Sequence, residues 1–171
     1  MTTTADLLAD AFARIREGVS AVLGGITPDG LTWRPDPSAN SVCWLVWHLT
    51  RIQDDHVAAA FGRPQVWESE GWATRCAAPY AVGETGYGMS PEEVGRLSVP
   101  ATLLAGYHEA VAARTASLLV GLSGDDLERV VDRRWDPPVT LAVRLVSVVA
   151  DDLQHLGQAE YVRGMATRAG S

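Results

Sequence analysis

Four long stretches of the chain carry apolar side chains at steps of three and four, and almost nothing along its 171 residues alternates. Steps of that size wind the apolar groups onto one face of a helix. Helices with one apolar face can bury it only against a neighbouring layer, and here that layer must be other helices. The expected fold is therefore all-α: a four-helix bundle with short extra helices and a long irregular loop. The first long helix is predicted over 4–23, with Leu8, Phe12, Ile15, Val19 and Val22 inward, Thr3 or Thr4 as cap and Gly24-Gly25 as stop. The second is predicted over 41–61. Leu45, His48, Ile52 and Asp55 share its stripe, Trp44, Trp47 and Arg51 flank it, and Gly62 and Pro64 end it. The third is predicted over 100–121, with Leu104, Tyr107, Val111 and Leu118 inward. The fourth is predicted over 140–165, led by Leu141, Leu145 and Val148.

The links are irregular. ITPDGLTWRPDPSANS is dense in turn residues. Residues 64–88 hold Trp67, Trp72, Pro79 and Tyr80 without a period, and a loop that long in a small domain is usually functional or wraps an opening. Ser90-Pro91-Glu92-Glu93 reads as a helix start, with a Ser cap, Pro in the first position and Glu three residues after the cap. Ser123 opens a short helical turn at Gly124-Asp125-Asp126-Leu127, and WDPPVT breaks the chain before the last helix. No repeat, low-complexity tract or linker divides the sequence, so residues 1–171 are expected to form one domain.

Apolar residues make up 47% and charged residues 20%, a balance suited to a soluble globular fold. No apolar run is long enough for a membrane helix, and Asp and Arg interrupt the N-terminal segment. Neither a signal peptide nor a membrane anchor is expected, and the expected localisation is cytoplasmic. The net charge of −7 and a single adjacent basic pair, Arg133-Arg134, flanked by Asp132 and Asp136, argue against nucleic acid as a partner. Cys43 and Cys76 form no CxxC motif and are expected to be reduced, structural thiols. All 14 basic residues are Arg, which together with abundant Ala, Gly and Val suggests a GC-rich genome.

The fourth helix poses the chemical question. In VVADDLQHLGQAEYVRG, an otherwise apolar helix carries Asp151, Asp152 and His155. Buried carboxylates and imidazoles are costly without partners. Asp151 and His155 are four apart and share a face, while Asp152 and His155 are three apart. His48 looks inward from the second helix. If the two helices are neighbours, two imidazoles and a carboxylate converge, a set that suits Zn²⁺ with open positions and also Fe²⁺, Mn²⁺ or Ni²⁺. The competing reading pairs Asp151 with Arg144 or Arg51 and leaves both histidines hydrogen-bonded in the core. Asp152 and Gln158 are candidates to hold the second nitrogen of a ligand histidine, with Asp152 facing water as the alternative. His56 is expected at the bundle end, and His108 with Glu109 as a solvated pair on an outer face of the third helix. Trp44, Trp47 and Trp72 are expected in the core, with the 67–80 loop available to roof an opening. No serine or cysteine triad is visible, and Cys43 has no evident histidine base.

Three segments carry a resemblance: TWRPDPSANSVCWLVWHLTRIQDDH, GYGMSPEEV and RWDPPVTLAVRLVSVVADDLQHLGQAEYVRG. On these the chain resembles the DinB-like superfamily, in the branch related to mycothiol-dependent maleylpyruvate isomerases. WLVWHL and the Q-H-x-G-Q segment are the specific parts. The resemblance implies a four-helix bundle whose divalent metal is held by His48, Asp151 and His155. Asp151 stands where the thiol-dependent isomerases carry an acidic residue, and it is one methylene shorter than their Glu. The resemblance further implies a thiol-dependent transferase or isomerase-like enzyme, with mycothiol or a related low-molecular-weight thiol as cosubstrate and an electrophilic small molecule as substrate. A metal-bound thiolate would be the nucleophile. The alternative is a non-catalytic bundle of the same fold, stress-associated or holding a small ligand. The superfamily often forms homodimers, so a homodimer is compatible with either reading.

Overall fold

The computed structural model describes residues 2–171. Helix α1 (Thr4–Leu23) begins at Thr3, whose hydroxyl accepts from the Asp6 amide while the Asp6 carboxylate accepts from the Thr3 amide. A reciprocal cap of this kind is worth about 1 kcal/mol. Helix α2 (Pro28–Thr32) follows in the segment read as dense in turn residues. Helix α3 (Val42–Phe61) starts from a Ser41 cap and stops at Gly62, whose φ of 62° is left-handed. Helices α4 (Val66–Ser69) and α5 (Trp72–Cys76) add two short turns to the stretch read as irregular. Helix α6 (Pro91–Gly95) has the expected Ser90–Glu93 cap but ends within five residues.

Helix α7 (Ala101–Leu119) is the third long helix, and α8 (Gly124–Leu127) grows from the Ser123 cap. Strand β1 (Val130–Asp132) then pairs antiparallel with β2 (Val139–Thr140), so WDPPVT lies in a small β-ribbon that the all-α expectation omits. Helix α9 (Leu141–Ala169) begins at a Thr140 cap and runs past the expected end to Gly170. Leu156, Ala159, Val162 and Ala166 extend its buried face to the last turn.

Helix α3 packs against α9 and α7, and α1 packs against the same two, so α1 and α3 lie across the bundle from each other. Ile15, Leu45, Leu49, Leu104, Leu145 and Val148 are among the fully buried side chains between them. Helix α3 has almost no exposed face: 16 of its 20 residues are buried, including Trp44, Trp47 and Arg51. The single-stripe reading of that helix is corrected accordingly. Its outer side is covered by the short helices and by the loop that follows them, and a helix buried all round loses the amphipathic signature. Leu118, expected inward, is half-buried, and Leu119 takes the core position. No helix among the described residues is long and apolar enough to cross a membrane.

Candidate metal centre

Where α3 meets α9, one ligand atom each from His48, Asp151 and His155 lies within 4.8 Å of the others. His48 comes from the buried middle of α3. Asp151 and His155 come from adjacent turns of α9, with Asp151 Oδ1 at 3.7 Å from His155 Nε2. The two imidazoles meet edge to face at 4.7 Å between centroids, and Trp44 stacks on His48 at 4.6 Å. His48 is buried, while Asp151 and His155 are half-exposed, so the cluster opens to solvent on the α9 side.

Hydrogen bonds set the orientation of both rings. His48 Nδ1 lies 2.6 Å from the carbonyl oxygen of Thr85. A carbonyl can only accept, so the hydrogen sits on Nδ1 and Nε2 keeps its lone pair. Burial lowers the pKa of His48 and favours the neutral ring. His155 Nδ1 is 3.0 Å from Gln158 Oε1, which leaves Nε2 facing Asp151. The donor set is thus two imidazole nitrogens and a carboxylate, and Asp151 Oδ2 is buried with no partner among the described residues. Two neutral imidazole nitrogens and a carboxylate with an unpartnered oxygen, this close together, are a donor set that would fit a divalent cation.

The competing pairings of Asp151 do not occur. Arg144 binds Asp132 at 3.0 Å, and Arg51 turns the other way, toward Asp54 at 3.8 Å and Gln65 at 2.7 Å. Gln158 stands on the second nitrogen of His155, as its spacing suggests. Asp152 does neither of the things expected of it: it is 0% exposed, and its carboxylate has no hydrogen-bond partner, histidine or other, among the described residues. Its position on the face shared by Val148, Leu156 and Ala159 turns it into the core, and burial beside Asp151 raises its pKa well above the carboxylate range. His56 pairs with Asp55 at 3.3 Å, outside the cluster.

His108 is also corrected. It is buried, with Nδ1 at 3.0 Å from Thr50 Oγ1, and Glu109 binds Arg16 of α1 instead. The Thr50 hydroxyl donates to the Val46 carbonyl and so accepts from His108. Both cysteines are free and buried, and burial pushes the Cys43 thiol up to about 11, which makes it a poor nucleophile.

The loop after Tyr80 supplies residues that sequence reasoning missed. Thr85 gives the carbonyl that orients His48, and Gly86 lies flat against the same ring with φ +97°, where a Cβ would stand 2.7 Å from Nδ1 and 2.9 Å from the Trp44 indole. The available signal was three closely spaced glycines in AVGETGYG, which mark close backbone approach.

The family model described as mycothiol-S-transferase matches residues 7–167. The crystal structure of a conserved protein from Enterococcus faecalis is similar at 32% identity, covering 95% of this chain and 96% of that one, with a TM-score of 0.88. No match is found among curated proteins. With one family model spanning nearly the whole bundle, from α1 to the end of α9, the chain belongs to the mycothiol-S-transferase family of DinB-like helical proteins.

Proposed function

We infer that this protein is a metal-dependent S-transferase that joins a low-molecular-weight thiol of the mycothiol type to an electrophilic small molecule. His48, Asp151 and His155 hold the divalent cation, with zinc the best match to two imidazoles and a carboxylate. Bound there, the cation would supply Lewis acidity that brings a coordinated thiol toward its thiolate form near neutral pH. The chain's own residues prepare for this. Thr85 and Gln158 hold each ring with Nε2 free, so no tautomer change precedes binding. The half-exposed side of Asp151 and His155 leaves access for a cosubstrate, while Trp44 and the loop seal the opposite side.

The observation that carries this reading is the meeting of three donors from two separate helices in a family described by thiol transfer. Elemental analysis of protein purified without chelator or nickel resin is expected to find about one divalent metal per chain. His155→Ala and His48→Ala are expected to lose it. Transfer of mycothiol to a model electrophile such as monobromobimane, above the uncatalysed rate, is expected only with metal bound. Metal content unchanged in both variants would remove the site, and metal without thiol transfer would leave a non-catalytic bundle.

A further inference from the structure

The residues between Val82 and Gly86 form a strap across the outside of α3, and three of its backbone carbonyls in five residues are pinned by side chains. Val82 O accepts from Trp67 Nε1 at 3.1 Å, Glu84 O accepts from Arg51 Nε at 3.2 Å, and Thr85 O accepts from His48 Nδ1 at 2.6 Å. The first two bonds come from residues that take no part in the donor cluster. Arg51 is 0% exposed, one turn beyond His48 on α3, and does more than neutralise Asp54. Its Nη1 donates to Gln65 Oε1 at 2.7 Å and reaches the Tyr107 hydroxyl at 3.4 Å, and its guanidinium lies 5.1 Å from the centre of the Trp67 ring. Asp54 in turn accepts from the Val66 and Trp67 amides and from Tyr107. The two strap anchors are therefore parts of one buried polar network that also fixes the start of α4.

We propose that Arg51 and Trp67 are positioning residues for His48, acting through the strap: they hold the Thr85 carbonyl where it fixes the imidazole with Nε2 open to Asp151 and His155. The physical case is one of cost. Glu84 is exposed, and besides the side-chain anchors the strap is held only by local turn bonds, from Glu84 N to Ala81 O at 2.9 Å and from Met89 N to Gly86 O at 3.4 Å, so its position across α3 depends on those anchors. A buried arginine is expensive unless partners compensate it; Arg51 Nη2 has none among the described residues, and of the bonds that the side chain does make, the one from Nε goes to a loop carbonyl adjacent to the residue that orients His48. Gly86 completes the fit, since a side chain there would collide with His48 and lift the strap.

This inference rests on the metal reading above for its purpose but not for its test. Long-range ¹H–¹⁵N correlation of the histidine rings in the metal-free protein at pH 8 reports which nitrogen of His48 carries hydrogen. The wild type is expected to show His48 as a single Nδ1–H tautomer, with His108, held by Thr50, as an internal reference for intact packing. Arg51→Met is expected to convert His48 to a mixture of tautomers while His108 is unchanged, and to weaken Co²⁺ binding by about 10–100-fold. With the unchanged His108 signal again the control for packing, Trp67→Phe keeps an aromatic ring at the position but removes the pyrrole portion with its N–H to Val82. It is expected to move His48 in the same direction, and it decides the matter if Arg51→Met does not fold. A His48 ring that stays a single Nδ1–H tautomer in the folded variants overturns the proposal, even if Co²⁺ still binds. A His48 ring that is released in the variants of a protein that never binds Co²⁺ upholds the strap and rejects the metal site instead.

Discussion

At the scale of single residues, the donor cluster is asymmetric in charge. Asp151 supplies the carboxylate beside two imidazoles, and its Oδ2 has no partner among the described residues. Asp151→Asn keeps the shape and removes the charge. It is expected to lower Zn²⁺ or Co²⁺ affinity by at least about tenfold, by isothermal titration, with the thermal midpoint of the metal-free protein nearly unchanged. Gly86→Ala is expected to be harsher. Both its positive φ and its 2.7 Å approach to His48 oppose a methyl group, so a loss of about 1–3 kcal/mol in urea unfolding should accompany reduced metal content. That Asp151, His155 and Gln158 share one side of α9 was legible because i, i+3 and i, i+4 spacing fixes who shares a helical face. Asp152 was not, because its neighbours at one turn are equally compatible with a rim or a core position until the packing of α9 chooses.

Among the elements, the contact of α3 with α7 is built partly from polar groups, and among them is His108, whose ring titrates near neutrality only when exposed to water. It is buried, faces Thr50 of α3, and has the Arg16 charge of α1 nearby; burial first, then Arg16, lowers its pKa to about 4. The unfolded chain takes up a proton near pH 6.5 that the folded chain refuses until about pH 4, so folding stability falls as pH drops through that window. Between pH 7 and 5 this amounts to about 2 kcal/mol. His108→Gln, which can still meet Thr50, should flatten that part of the pH dependence, measured as urea midpoints of variant and wild type at both pH values. Its burial was in principle readable, since 108 continues the 104–111–115 face of α7; the neighbouring Glu109 suggested a solvated pair. The long helices and their caps were legible because period and capping are local. The short helices α2, α4 and α5 and the β-ribbon were not, being too short to show a period and stable only where they dock.

For the whole molecule, a cation held between α3 and α9 would tie together the two most closely packed helices of the bundle. Because the unfolded chain lacks the site, metal at a hundredfold excess over its dissociation constant should add about 2.7 kcal/mol of stability. A rise of several degrees in the midpoint of scanning calorimetry is expected on adding Zn²⁺, reversed by chelator and absent in His48→Ala. No change in the wild-type midpoint would remove the cation from the account of this fold.

The amino-acid sequence by itself determined that there are four long helices, where each of them starts to within a residue or so, and that Asp151 and His155 look the same way. Those features depend on hydrogen bonds and side-chain spacing within one or two turns. Only the tertiary structure decided that His48 meets that pair, that Arg144 and Arg51 are engaged elsewhere, that Asp152 and His108 turn inward, and that a loop carbonyl from Thr85 sets the His48 ring. Each of these is a contact between separate parts of the chain, selected by how four irregular helical surfaces fit together, and no local period encodes that fit.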